Sequence, residues 1–240
     1  VINGCRISVG NVGAVSTRED YRKRGYAWAI FEDAMERLCA EGVDMFLISG
    51  FRDLYRLHGA AHVGKVAGYR LTNEMELPEA AVEPRPFNPE DLPAWAALYR
   101  SEPVRFHRPY SDFQALIERS PEHGRGLLYS IWEGERISAY AVLGRRNSEE
   151  GESASMNEYA GSRRALMGAI PAWFRELDVP VFGMTVPAHD MELAGLLESV
   201  GAEARYHSSG GTIAILNFPR LCRRMTPMFE EIVGRETAQK

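Results

Sequence analysis

Cysteine is nearly absent: the 240 residues hold only Cys5, Cys39 and Cys222. Three widely spaced thiols form no disulfide framework and supply no zinc-ligand spacing. No apolar run approaches the roughly 18 residues that would cross a bilayer, and no charged-then-apolar start marks a signal peptide. The expected compartment is therefore the cytoplasm, with no membrane partner. An excess of positive charge is missing too. With 28 Lys/Arg against 33 Asp/Glu, the net charge is −5, which argues against nucleic acid as a partner because phosphate neutralisation needs a cationic surface. There is no Gly-x-Ser-x-Gly turn and no Cys/His nucleophile pair. His58 and His62 stand four apart, a metal-pair spacing, but Gly59 lies between them and no Cys or carboxylate completes a set, so no metal is expected.

What is present reads as an ordinary globular chain, 45% hydrophobic and 25% charged, long enough for one or two domains. Residues 1–77 carry ten cationic and ten anionic side chains, leaving 18 and 23 for the remainder. An acidic later part mildly favours a cationic substrate such as an amine. Arg105-Phe106-His107-Arg108-Pro109-Tyr110 mixes cations with aromatics, a nucleobase-stacking pattern, yet it reads better as the cover of a junction between two helices. Trp28, Trp95, Trp132 and Trp173 fall on regular elements and read as core or interface residues.

The most informative stretch is Tyr21-Arg22-Lys23-Arg24-Gly25-Tyr26-Ala27, between an extended run (7–15) and a helical one (28–40). A strand-to-helix turn of this kind suits a phosphate. Gly25 admits a ligand close to the backbone, Ala27 keeps the first helical turn bare, and the helix start presents unpaired N–H groups and its positive dipole end. Arg22, Lys23 and Arg24 add three cations, fitting a pyrophosphate. Downstream, residues 30, 31, 34, 35 and 38 form an apolar helical stripe, Glu41-Gly42 closes the helix, and residues 43–49 read as a strand covered on both faces. A short helix (51–58) ends at Gly59, and a strand is expected over 62–71. Pro78, Pro84, Pro86 and Pro89 mark a linker over 78–87. A new unit opens at Asn88-Pro89-Glu90-Asp91, where Asn is a good N-cap and Pro fits the first helical position. It continues as helices 89–99 and 111–119, strands 127–132, 137–143 and 156–159, helix 163–177, strand 181–185, helix 190–200 and strand 212–217, with 219–240 left as a C-terminal tail.

The pattern Arg22-x-x-Gly25-x-Ala27, after Gly13-Ala14-Val15-Ser16-Thr17, resembles the acyl-CoA pyrophosphate loop of the GCN5-related N-acetyltransferases. Leu54-Tyr55-Arg56-Leu57-His58-Gly59 resembles that family's Leu-Tyr-x-x-x-Gly segment at the right distance. The order of elements in 88–218 repeats the family's, but Ala160-Gly161-Ser162-Arg163-Arg164-Ala165 lacks its loop motif and no Tyr precedes Gly201 at the needed step. The whole thus resembles tandem proteins of that family, the enhanced-intracellular-survival type being one branch. The resemblance implies an α/β (α+β) fold of mixed central sheets with flanking helices in two similar units: 1–77 as the C-terminal part of a first domain, and 88–218 as a second, degenerate one without a cofactor. Three strands and two helices would precede the loop in the family, so the chain is expected to begin inside a domain. The implied function is transfer of an acetyl group from acetyl-CoA to a small-molecule or peptide amine. The alternative is a non-catalytic or regulatory acyl-CoA-binding module, and a homo-oligomer stays open. The implied donor-site residues are Val15, Ser16, Thr17, Arg22, Lys23, Arg24, Gly25, Tyr26 and Ala27, with the strand edge at Val15 and Thr17 pairing with the pantetheine arm. By family position Tyr55 would protonate the departing thiolate.

Overall fold

The structure is a computed structural model that describes residues 1–78, 80–122, 126–148, 151–209 and 211–238. The chain divides into two compact units, Val1–Gly64 with Ser208–Lys240, and Lys65–His207. In the first, β1 (Val9–Val12) runs parallel to β2 (Met45–Ser49), and α1 (Tyr26–Ala40) connects them. The helix is built largely from strong helix formers. It ends where Gly42 turns left-handed at φ 83° and Val43 N–H closes on the Leu38 carbonyl at 2.9 Å, a glycine C-terminal cap. Strand β2 buries Phe46 and Ile48 while Met45 and Leu47 stay half-buried, so one face is covered fully rather than both as expected. A short helix α2 (Asp53–Leu57) and a two-residue strand β3 (Ala61–His62) follow. The core joins Phe31, Phe46, Ile48, Tyr55, Ala60 and Ala214. Of the α1 stripe, Phe31 alone is buried, and Ile30 is 70% exposed.

The second unit is a seven-stranded sheet. Its elements are β4 (Lys65–Thr72), β5 (Glu83–Pro86), α3 (Leu92–Ser101), α4 (Tyr110–Glu122), β6 (Leu127–Glu133), β7 (Arg136–Ser148), β8 (Gly151–Gly161), α5 (Arg163–Leu177), β9 (Val181–Pro187), α6 (Met191–Ser199) and β10 (Arg205–Ser208). The strand order is β10-β4-β9-β8-β7-β6-β5, with β8 and β9 parallel. The proline-rich segment expected as a linker holds β5, paired with β6 from Glu83 to Pro86. Two prolines are tolerated because β5 is an edge strand with no second ladder to feed. Asn88 caps a 3₁₀ turn (Pro89–Asp91) through a reciprocal capping box, as the sequence indicates. One sheet face packs on α5, where Leu166, Ile170 and Trp173 are fully buried. A second cluster sets Trp95 of α3 against Tyr140, the rings stacked at 4.2 Å. Trp95 Nε1–H donates to Ser130 Oγ at 2.8 Å, and that hydroxyl donates to Asp91 at 2.6 Å, satisfying the buried polar atoms. Between α3 and α4, Arg108 turns inward onto Glu158 at 2.6 Å and over the Tyr99 and Phe113 rings, in keeping with a helix-junction cover.

The last strand and helix return to the first unit. Strand β11 (Gly211–Ile215) lies antiparallel to β2 and β3, giving the order β1-β2-β11-β3. The segment expected as a tail is α7 (Phe218–Val233) followed by a short α8 (Arg235–Ala238). Fully buried Asp44, just before β2, holds α7 in place. It accepts from the Ser8 N–H at 2.8 Å, Arg220 Nε at 2.9 Å and Arg224 Nε at 3.1 Å. A buried carboxylate is tolerable only with such partners, and losing them costs ~3 kcal/mol or more.

The stretch read as one strand over 62–71 is thus two strands broken at Gly64, one in each sheet. Strand β4 pairs with β9 over seven residues, Val66↔Pro187 to Thr72↔Val181. A fragment of residues 88–217 therefore lacks β4 and carries an unpaired β11, and it should aggregate or unfold. Residues 65–208 keep the whole seven-stranded sheet and should fold. Circular dichroism and sedimentation of the two fragments check this, and a cooperative, monomeric 88–217 fragment would contradict the strand assignment.

Candidate functional site

The turn from β1 to α1 is shaped by two backbone departures. Strand β1 leaves the ladder after Val12↔Ile48, with Ala14 at φ 55°, while β2 runs on to Ser49, still paired with Gly211. Residues 13–17 therefore lie outside the ladder with Val15 and Thr17 half-buried. The Thr17 carbonyl is taken by Arg22 Nε–H at 3.2 Å. Lys23 at φ 61° and Gly25 at φ 80° then wind the chain into α1. Gly25 is the N-cap, and α1 has neither a side-chain cap nor an acidic residue in its first turn. By contrast α5, α6 and α7 are capped by Ser162, Asp190 and Asn217. The first N–H groups of α1 are left to an outside acceptor.

A cavity of about 270 Å³ lies at this turn. Every residue from Tyr21 to Trp28 lines it, with Thr17 and Leu54. Thr17 and Arg22 also line an adjoining cavity of about 340 Å³ with Ser16 and Arg52. The structure thus brings together Ser16, Thr17 and all of Arg22 to Ala27, whereas Val15 lines neither cavity. The Tyr21 ring lies under the guanidinium groups of both Arg18 and Arg24, at 5.7 and 5.4 Å, which narrows the arginines' freedom. Trp28, expected in the core or at an interface, is 40% exposed and lines the cavity. The sequence reading missed Trp28, Leu54 and Arg52 as lining residues. Their one signal was nearness to the two motifs.

Tyr55 stands on α2, 1% exposed, its ring 5.4 Å from Phe31. It lines neither cavity. His58 is buried beneath Trp28, with rings 4.1 Å apart, and its Nδ1 lies 2.7 Å from the Leu54 carbonyl. His62 stacks instead on Phe51 at 4.1 Å. The two histidines face different neighbours, and no group of three potential metal ligands occurs among the described residues.

The corresponding turn of the second unit, from β8 to α5, is closed. β8 pairs with β9 only over Ala154–Met156, so the two strands part as β1 and β2 do. The space near the helix start is occupied by the chain's own charges. Arg163 forms a two-point pair with Glu102, both contacts 2.7 Å, and donates through Nε to Asp190 at 3.0 Å. Glu102 also accepts the Gly161 N–H at 2.9 Å, and Tyr159 donates to Asp190 at 2.8 Å. Burial pushes the Tyr159 hydroxyl well above its ordinary pKa, and the Asp190 charge adds to that. Burial alone would lower the Arg163 pKa, but the hydrogen bond to Glu102 and the surrounding carboxylates outweigh it and raise it. A carboxylate already stands where an anion would be held.

No family model matches the chain, and no curated protein matches it in sequence. Solved structures do match in fold. A GCN5-related N-acetyltransferase from Anabaena variabilis superposes with TM-score 0.74 at 15% identity, over 91% of this chain and 58% of that one. A probable N-acyltransferase from Enterococcus faecalis gives 0.74 at 14%, over 93% and 58%. Eis1 from Mycobacterium abscessus gives 0.67 at 15%, over 93% and 60%. The fold is that of these acetyltransferase structures, and the chain spans about three fifths of their length. No helix among the described residues is long and apolar enough to cross a membrane.

The two turns differ in the expected cost of a side chain at their glycines. A Cβ at Gly25 would meet no atom within 4 Å, whereas one at Gly161 (φ 99°) would meet the Ser138 carbonyl oxygen at 2.3 Å. Gly25→Ala should cost only the left-handed backbone strain, ~1 kcal/mol. Gly161→Ala should cost several kcal/mol, since backbone has to move. Urea titration of both variants checks the ordering, and equal losses would contradict it.

Proposed function

We propose that the first unit carries the donor site of an N-acyltransferase that moves an acetyl group from acetyl-CoA to an amine. The observation that carries this reading is the turn at Gly25. An uncapped helix start, cations and open space converge there, with no acidic residue in the first turn of α1. Residues and ligand fit in chemistry, because a pyrophosphate needs converging N–H donors and positive charge. In this reading the backbone of residues 22–27 with Arg22, Lys23 and Arg24 holds the pyrophosphate. The free backbone near Val15 and Ser16, with the N–H of Thr17, orients the pantetheine arm where β1 parts from β2. Acetyl-CoA supplies the activated thioester, and the protein's contribution is positioning and proton traffic. Tyr55 is the candidate to return a proton to the thiolate. The acceptor is a small-molecule or peptide amine in the cytoplasm.

A second reading has its own support. Tyr55 is closed off in the core, as it would be in a non-catalytic or regulatory module that binds acyl-CoA without turnover. The second unit, its turn filled by Glu102, is not expected to bind a second molecule.

Isothermal titration calorimetry with CoA should show one site per chain, and Gly25→Val should abolish it, since a β-branched residue resists φ 80° and projects into the ligand's space. Unchanged affinity, or two sites, would reject the assignment.

For the catalytic reading, Tyr55→Phe keeps the ring and its packing but removes the proton. Acetyl transfer to an amine panel should then fall by roughly 10²-fold while CoA affinity stays near that of the parent. Undiminished turnover across the pH range would return Tyr55 to a packing role. Tight CoA binding with no turnover for any amine would favour the binding module.

A further inference from the structure

Resting on the donor-site reading above, we infer that Arg52 is a second phosphate-binding wall, facing the Arg22–Ala27 turn from the start of α2. Arg52 belongs to neither sequence motif. It is the N-cap of α2, and its carbonyl accepts the Tyr55 N–H at 3.0 Å and the Arg56 N–H at 3.4 Å. This ties the Arg52 backbone to the helix that carries Tyr55. The side chain lines one cavity with Ser16, Thr17 and Arg22.

The electrostatics of that cavity are unbalanced. Arg22 has only a long, exposed contact to Glu19, 3.4 Å, beside its bond to the Thr17 carbonyl. Arg18 is turned to Asp20 and Arg56 to Asp53. Arg52, Lys23 and Arg24 have no ion pair among the described residues. Two guanidinium groups lining one cavity repel each other unless an anion lies between them, and the planar fork of each suits phosphate oxygens. A diphosphate on the first turn of α1 borders this cavity, because Thr17 and Arg22 line both spaces. Arg52 then closes the diphosphate from the opposite side, and the bound donor links the turn to the Tyr55 helix.

The test is calorimetry on the whole chain with CoA, dephospho-CoA and succinyl-CoA, for the parent, Arg52→Gln and Arg52→Lys. Loss of one charge-assisted contact should weaken all three ligands for Arg52→Gln by about tenfold. Lys should restore part of that, and Tm should stay unchanged. Parent-like affinity of Arg52→Gln for CoA overturns the inference while leaving the donor site standing. So does a loss confined to succinyl-CoA, which would mean contact with an acyl carboxylate, or one that vanishes with dephospho-CoA, which would mean contact with the 3′-phosphate. Absence of CoA binding by the parent chain overturns the donor site and this inference together.

Discussion

The open edges of two parallel strand pairs govern this molecule. Strand β2 is paired with β1 on one side and β9 with β8 on one side, and each needs a partner on its other edge because backbone N–H and C=O groups inside a sheet demand one. The chain meets the demand by exchange. The strand that completes β9 comes from residues 65–72, before the second unit's helices, and the strand that completes β2 comes from 211–215, after them. The first unit is not a continuous piece of sequence, and the sheet of each unit depends on a strand far away along the chain.

The two strand-to-helix turns show how one architecture reaches opposite electrostatic ends. Both follow a strand that parts from its parallel neighbour, and both open a fifteen-residue helix. At α1 the helix start is bare, ringed by cations and floored by a glycine whose missing side chain leaves space. At α5 the helix is capped by Ser162, and Glu102 closes on Arg163 and on the Gly161 N–H. Such a carboxylate repels a second anion and satisfies the donors that would have held it. One helix start is thereby left without a side-chain cap, and the other is closed by the chain's own charges.

Burial sets the tension in the first unit. Tyr55 is the residue that a transfer mechanism would use, yet its ring belongs to the cluster that holds α1 and α2 on β2. A side chain packed on Phe31 is held firmly, which helps any role needing a fixed hydroxyl, and it is also shielded. Ile30, directly before Phe31 on α1, is 70% exposed, and Trp28, one turn before Phe31, is 40% exposed. The likeness in fold to solved acetyltransferases extends over about three fifths of their length.

Local chemistry was legible in the residues themselves. Gly25 after three cations, Asn88-Pro89 as a helix start, Gly42 as a helix stop and the span 163–177 as a helix all follow from backbone freedom, capping and period, which act over a few neighbours. The mixed α/β class and the glycine turn at the start of α1 rest on the same short-range signals. Partner choice was not legible, because a hydrogen-bonding strand edge carries no label for the strand it will accept. The break at Gly64, the pairing of β5 through two prolines, the return of β11 and the docking of α7 by Asp44 were decided only in three dimensions. So were Arg52 beside Arg22 and Glu102 against Arg163, pairs 30 and 61 residues apart. In each, burial and charge acted between elements that only the completed sheets bring together.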